Sequence, residues 1–136
     1  MADDCIFCKI VRNEIHSSNV YTNDKVIAFL DVNPVNKGHV LIVPKDHYET
    51  LLDIPDNIAK ELLVIAKKIG KSARKALKAD GFNIGMNNFP AAGQVVFHAH
   101  LHVIPRFEND GLQHWPSKKY EEGEMDQVRE KIATFL

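Results

Sequence analysis

The chain has 136 residues and a mass of 15.4 kDa, with 45% hydrophobic and 26% charged residues. That is one domain of ordinary globular composition, expected to span residues 1–136, and it excludes a disordered chain. Seventeen basic against eighteen acidic residues leave a net charge of −1, so no basic field exists to hold nucleic acid by charge. No apolar run approaches the roughly 18 residues of a membrane span, and the N-terminal Met-Ala-Asp-Asp-Cys-Ile-Phe-Cys has neither the basic nor the apolar region of a signal peptide. The expectation is a cytoplasmic protein with neither membrane nor nucleic acid as partner. The uneven feature is histidine: seven residues, three of them at His98, His100 and His102.

Cys5 and Cys8 are the only cysteines and are spaced Cys-x-x-Cys. A lasting disulfide is not expected in a reducing compartment. A redox dithiol and half of a metal site both remain open. A redox pair would follow a strand and open a helix, and here no strand precedes it. A metal half-site needs two more ligands, and histidine is the available kind.

Residues 5–11 read as a short helix or turn. Residues 20–22 and 26–30 read as a hairpin across Asn23-Asp24-Lys25. Residues 31–38, rich in Asn, Pro and Gly, form a loop. Residues 40–43 are a short apolar strand ended by Pro44. Pro55 and Asp56 suit the first turn of a helix. From there Ile58, Leu62, Ile65, Ile69, Ala73 and Ala76 recur at helical spacing for about six turns. Lys60, Lys67, Lys68, Lys71 and Lys75 fall off that stripe as a solvated face, and Asp80-Gly81 ends the helix. Residues 82–87 read as a strand, 88–93 as a loop, and 95–104 as the strongest strand, closed by Pro105. Residues 125–135 read as a C-terminal helix. Hairpin-like strands with one long helix between them imply an α+β fold, an antiparallel sheet with the helix on one face. A loop, a ligand or a second subunit must cover the other.

Side chains alternate along a strand. In 95–104, Val95, Phe97, Ala99, Leu101 and Val103 would face the long helix. Val96, His98, His100, His102 and Ile104 would face the other way, with neighbouring imidazoles about 6.6 Å apart. Two chemistries use such a row. The imidazoles can bind a metal. Alternatively, one neutral imidazole attacks phosphorus while its neighbours hold phosphate oxygens. Spacing alone does not choose. Gly93-Gln94 just upstream is a turn whose backbone amides can cradle phosphate.

The run Ala92-Gly93-Gln94-Val95-Val96-Phe97-His98-Ala99-His100-Leu101-His102-Val103-Ile104 strongly resembles the signature of the histidine-triad family, in which three histidines alternate with apolar residues. Residues 29–34 and 38–45 also resemble that family, and Cys5-Ile6-Phe7-Cys8-Lys9-Ile10 resembles its bacterial members. The resemblance covers about residues 4–107 and leaves 108–136 as a C-terminal extension. It implies an antiparallel five-stranded sheet with one long helix and a C-terminal helix, the sheet continuing across a homodimer. It also implies a purine nucleotide ligand and hydrolysis or transfer at the α-phosphate of a phosphoramidate or dinucleoside polyphosphate.

By that resemblance His100 is the nucleophile and forms a nucleotidyl-histidine. His102 contacts the phosphate or leaving group, and His39 orients the row. Asp31 accepts the ribose hydroxyls. Phe7, Ile10, Phe29 and Val32 wall the base, with Val96 also in contact. Asn87 and Gln94 touch the phosphates, and Gln94 joins the catalytic set. In metal-bearing members two histidines complete the Cys-x-x-Cys pair. Here that implies a structural zinc on Cys5, Cys8, His47 and His98. Two features depart from the pattern or add to it. Val95 stands where many members have Ser or Thr, and His114-Trp115-Pro116 resembles the tail of the phosphoramidase branch. Two other functions compete with hydrolysis: a nucleotide-binding module with little turnover, and a catalytic ion held by His98, His100 and His102.

Overall fold

The computed structural model describes residues 4–136. Residues 1–3, part of the N-terminus read above for a leader, lie outside them. Strands β1 (Asn19–Thr22), β2 (Val26–Leu30), β3 (Val40–Pro44), β4 (Gly81–Gly85) and β5 (Leu101–Arg106) join helices α1 (Ile6–Val11), α2 (Asp56–Leu77) and α3 (Glu124–Thr134). The strands form one sheet in the order β1-β2-β3-β5-β4, with every neighbouring pair antiparallel. The expected α+β architecture is thus present. No helix among the described residues is long and apolar enough to cross a membrane.

Helix α2 forms where the apolar spacing predicts it. Its stripe of Ile58, Leu62, Ile65, Ala66 and Ala73 is buried. Ile58, Leu62, Ile65 and Ala66 of that stripe pack on Val26, Ala28, Val40, Ile42, Leu101 and Val103 from the sheet, and the five lysines named above are exposed. The opposite sheet face is covered from within the chain. Phe7 and Ile10 of α1 pack on Ile27, Phe29, Leu41 and Val43, with Val96 against the same cluster.

One expectation needs correction. The strand expected over 95–104 begins only at Leu101 and runs through Pro105 to Arg106. Ahead of it the chain leaves the sheet, because Ala99 N–H donates to the Tyr48 carbonyl (2.7 Å) and the His98 ring bonds the Pro44 carbonyl. Val95 (83% exposed) and Phe97 (48%) therefore point to solvent, whereas Ala99, Leu101 and Val103 reach the α2 core as expected. Pro105 is tolerated inside β5 because the β3 ladder has already ended at the Val40–Val103 pair. Helix α3 lies near its expected bounds and buries none of its residues.

At Gly70, α2 packs closely against Phe82 of β4. A Cβ there would lie 2.5 Å from the Phe82 ring. An alanine would gain about 1 kcal/mol of helix propensity, but overpacking costs about 1–3 kcal/mol. Gly70→Ala is expected to lower stability, read as a lower urea midpoint at unchanged slope. A raised midpoint would contradict the close packing.

Candidate active site and metal cluster

Backbone partners set the protonation of each buried imidazole, because a neutral ring carries one N–H and one lone pair. Val35 N–H donates to His39 Nδ1 (3.1 Å), so the His39 proton sits on Nε2. That Nε2–H faces His102 Nδ1 at 2.9 Å, which places the His102 proton on its own Nε2. The His102 Nε2 atom is buried and has no partner among the described residues. His100 Nδ1 lies 2.7 Å from the His98 carbonyl, so its proton is held there and Nε2 carries the lone pair. His98 Nε2 donates to the Pro44 carbonyl (2.8 Å), leaving the Nδ1 lone pair free to face the cysteines.

These rings are neutral at pH 7. Burial pushes His39 and His100 below the usual histidine range. Burial, reinforced by neighbouring imidazoles, takes His98 and His102 down to about 4. Ring centroids of His100 and His102 are 4.9 Å apart, closer than the ideal strand spacing because His100 precedes the strand.

One cleft of about 510 Å³ gathers Phe7, Ile10, Phe29, Asp31, Val32, Asn87, Val96, His100 and His102. Phe7 sets its ring edge-on to both Phe29 (5.6 Å) and His100 (5.0 Å). Val32 is strongly exposed at the rim. Asp31 reaches 3.8 Å from His39 Nε2, and its other oxygen accepts the Asn33 N–H. His102 and Asn87 also border an adjoining cavity of about 530 Å³, lined further by Asn83, His114 and Trp115. His39 lies on this second side.

Gln94 lies elsewhere than in the cleft. It is 4% exposed. Its Oε1 accepts the Phe89 N–H (2.8 Å), and its Nε2 donates to the Glu49 (2.6 Å) and Val96 (3.1 Å) carbonyls. A buried amide must satisfy both its donor and its acceptor, and the loop backbone supplies all three partners. Gln94 thus braces the turn at Gly93 from behind.

Cys5, Cys8, His47 and His98 present four ligand atoms within 4.8 Å of one another. His98 Nδ1 lies 3.4 Å from Cys5 Sγ, 3.5 Å from Cys8 Sγ and 3.2 Å from His47 Nδ1, which is 3.3 Å from Cys8 Sγ. A tetrahedral zinc with bonds of about 2.0–2.3 Å requires ligand separations of about 3.3–3.8 Å. The donor set fits such an ion, and the His98–Pro44 bond is the outer partner that orients a metal-binding imidazole.

Asp31, His39 and His102 also cluster closely enough to hold an ion. There, however, Val35 N–H already occupies His39 Nδ1, so ligation through Nε2 would strip that ring of its only proton. A catalytic ion shared by His98, His100 and His102 does not match the geometry, because His98 turns its free nitrogen to the cysteines.

A HIT domain is matched over residues 12–109. Adenosine 5'-monophosphoramidase HNT1 of Saccharomyces cerevisiae is 38% identical over 134 residues, 97% of this chain and 82% of that protein. The crystal structure of SMU.412c from Streptococcus mutans UA159 has a TM-score of 0.93 and 40% identity, covering 99% of this chain and 87% of that one. A Zn-bound histidine triad family protein from Mycobacterium smegmatis has a TM-score of 0.79 and 32% identity, covering 98% of each chain. The chain belongs to the HIT, or histidine-triad, family.

The depressed His102 pKa links folding to pH. The unfolded ring titrates near 6.5 and the folded ring near about 4, so the unfolded state binds more protons between those values. The neutral buried ring therefore contributes stability that is present above about pH 6.5 and is lost as pH falls toward about 4. Denaturant midpoints measured on metal-free chain across that window should fall more steeply for wild type than for His102→Asn. Equal slopes would mean that His102 is not held neutral.

Proposed function

We propose that the chain hydrolyses or transfers nucleoside monophosphates, cleaving at the α-phosphate of a purine nucleoside phosphoramidate or dinucleoside polyphosphate. The observation that carries this reading is the pair left by the imidazole hydrogen bonds: a lone pair on His100 Nε2 and an unpartnered N–H on His102 Nε2. Both residues line one apolar-walled cleft. A phosphorus centre needs a nucleophile on one side and a hydrogen-bond donor for its oxygens on the other. The yeast relative, named as an adenosine 5'-monophosphoramidase, supports the phosphoramidate class.

In this reading the base sits among Phe7, Ile10, Phe29, Val32 and Val96, and the Asp31 carboxylate accepts the ribose hydroxyls. Asn87 and the Gly93 turn hold the phosphate, with Gln94 bracing that turn. His100 Nε2 forms a bond to the α-phosphorus as the bond to the leaving group breaks. The His98 carbonyl shares the positive charge that develops on the ring through its bond to Nδ1–H. His102 Nε2–H donates to a phosphate oxygen, and His39 holds His102 in the donor tautomer. Water then attacks the nucleotidyl-histidine and releases the nucleoside monophosphate. Val95 offers no hydroxyl near the leaving group, so poor leaving groups should react slowly.

Cys5, Cys8, His47 and His98 would hold one zinc. Four protein ligands close the site, so its role is structural. Residues 1–136 act as one domain with its core over about 4–107. It works in the cytoplasm as a homodimer whose sheet continues from one copy into the other.

His100→Ala should reduce turnover of an adenosine phosphoramidate by at least about a thousandfold while AMP binding persists. Acid-quenched wild type should carry one AMP-sized adduct at His100. Turnover surviving in His100→Ala would remove it as nucleophile, and binding without turnover in wild type would make the chain a binding module. Metal analysis should find one zinc per chain that His100→Ala keeps and Cys5→Ala loses; loss in His100→Ala instead would point to a catalytic ion.

A further inference from the structure

The ligand cluster and the nucleotide cleft are built on the same short helix. Helix α1 has six residues with Cys5 as its N-cap, and the Cys5 sulfur accepts the Cys8 N–H. Phe7 lies between the two cysteines in sequence, and both Phe7 and Ile10 line the cleft. A helix of this length has no stability of its own. Its tertiary contacts include those of Phe7 and Ile10 with the sheet, those of the Phe7 ring with the His98 and His100 rings, and the two cysteines facing His47 and His98. The other half of the cluster reaches the same cleft by a second route, since the His98 carbonyl receives the Nδ1–H of His100.

We propose that metal occupancy of Cys5, Cys8, His47 and His98 and nucleotide occupancy of the cleft reinforce each other through α1. This rests on the nucleotide reading given above. With all four ligands engaged, α1 is locked on the sheet and the wall made by Phe7 and Ile10 is in place before nucleotide arrives. With the ligands disengaged, residues 4–11 are held less firmly, and the competent wall is populated part of the time. The apparent nucleotide affinity then falls by that fraction. Linkage requires nucleotide to raise metal affinity by the same factor.

The test uses AMP, which contains no bond to a leaving group, and Zn²⁺. AMP dissociation constants are measured by calorimetry on zinc-loaded chain and on reduced, chelator-treated chain, with circular dichroism confirming that the latter is folded. Zinc affinity is measured by competition with a chromophoric chelator, with and without saturating AMP. Ribose 5-phosphate controls for chelation of free Zn²⁺ by phosphate. Metal removal is expected to weaken AMP about tenfold, within the usual range of coupling between sites, and AMP is expected to tighten zinc by the same factor.

Phe7→Ala retains all four ligands and should bind zinc with little response to AMP. Should the metal-free chain fail to fold, the rate of zinc release from loaded protein supplies the comparison. AMP should slow that release in wild type and leave it unchanged in Phe7→Ala. Equal AMP affinities with and without zinc, or a full AMP effect in Phe7→Ala, would overturn the coupling through α1. Failure of AMP to bind the zinc-loaded chain would overturn the nucleotide reading and the coupling with it.

Discussion

The Val35 amide sets the protonation of one side of the site. It is a main-chain donor, always protonated, and it sits 3.1 Å from His39 Nδ1. From that one N–H the proton positions on His39 and His102 follow in turn. A parallel constraint from the His98 and Pro44 carbonyls fixes His100 and His98. The imidazoles have similar intrinsic chemistry, yet each ends with a different outward atom: a cysteine-facing lone pair on His98, a cleft-facing lone pair on His100, and an N–H on His102 with no partner among the described residues. Backbone geometry, more than residue type, separates their roles. Burial keeps them neutral, and only neutral rings can hold this pattern.

Much of the fold could be read locally. The α2 stripe repeats over many turns, and the β2 and β3 apolar runs are bounded by turn residues, so period and punctuation agree. The start of β5 could not be read this way. Residues 95–100 alternate as a strand would, but Ala99 and His98 find their partners at Tyr48 and Pro44, about fifty residues away. That long-range pairing overrides a local period. Helix α1 was equally hard to recognise as the cover of the second sheet face, because six residues are too few to show a helical repeat.

The candidate site was legible to a different degree. Placing His98, His100 and His102 on one side of the chain survives the loss of regular strand, since Ala99, Leu101 and Val103 still occupy the core. The gathering of Asp31, Asn87 and Phe7 around them rested on the family resemblance, because a turn aspartate or a core phenylalanine carries no local mark of a cleft. Gln94 shows the limit. An amide beside a glycine turn reads the same whether it faces a ligand or the protein's own backbone, and here the carbonyls of Glu49 and Val96 decided it.

The peptide joining His98 to Ala99 is anchored at both ends, its carbonyl by the His100 ring and its N–H by the Tyr48 carbonyl. The His100 ring N–H is therefore bonded to a peptide that is itself held at both of its polar atoms. Little orientational freedom is left for the protein to lose on the way to the transition state. In the proposed reaction the activation entropy should then come chiefly from ordering substrate and water.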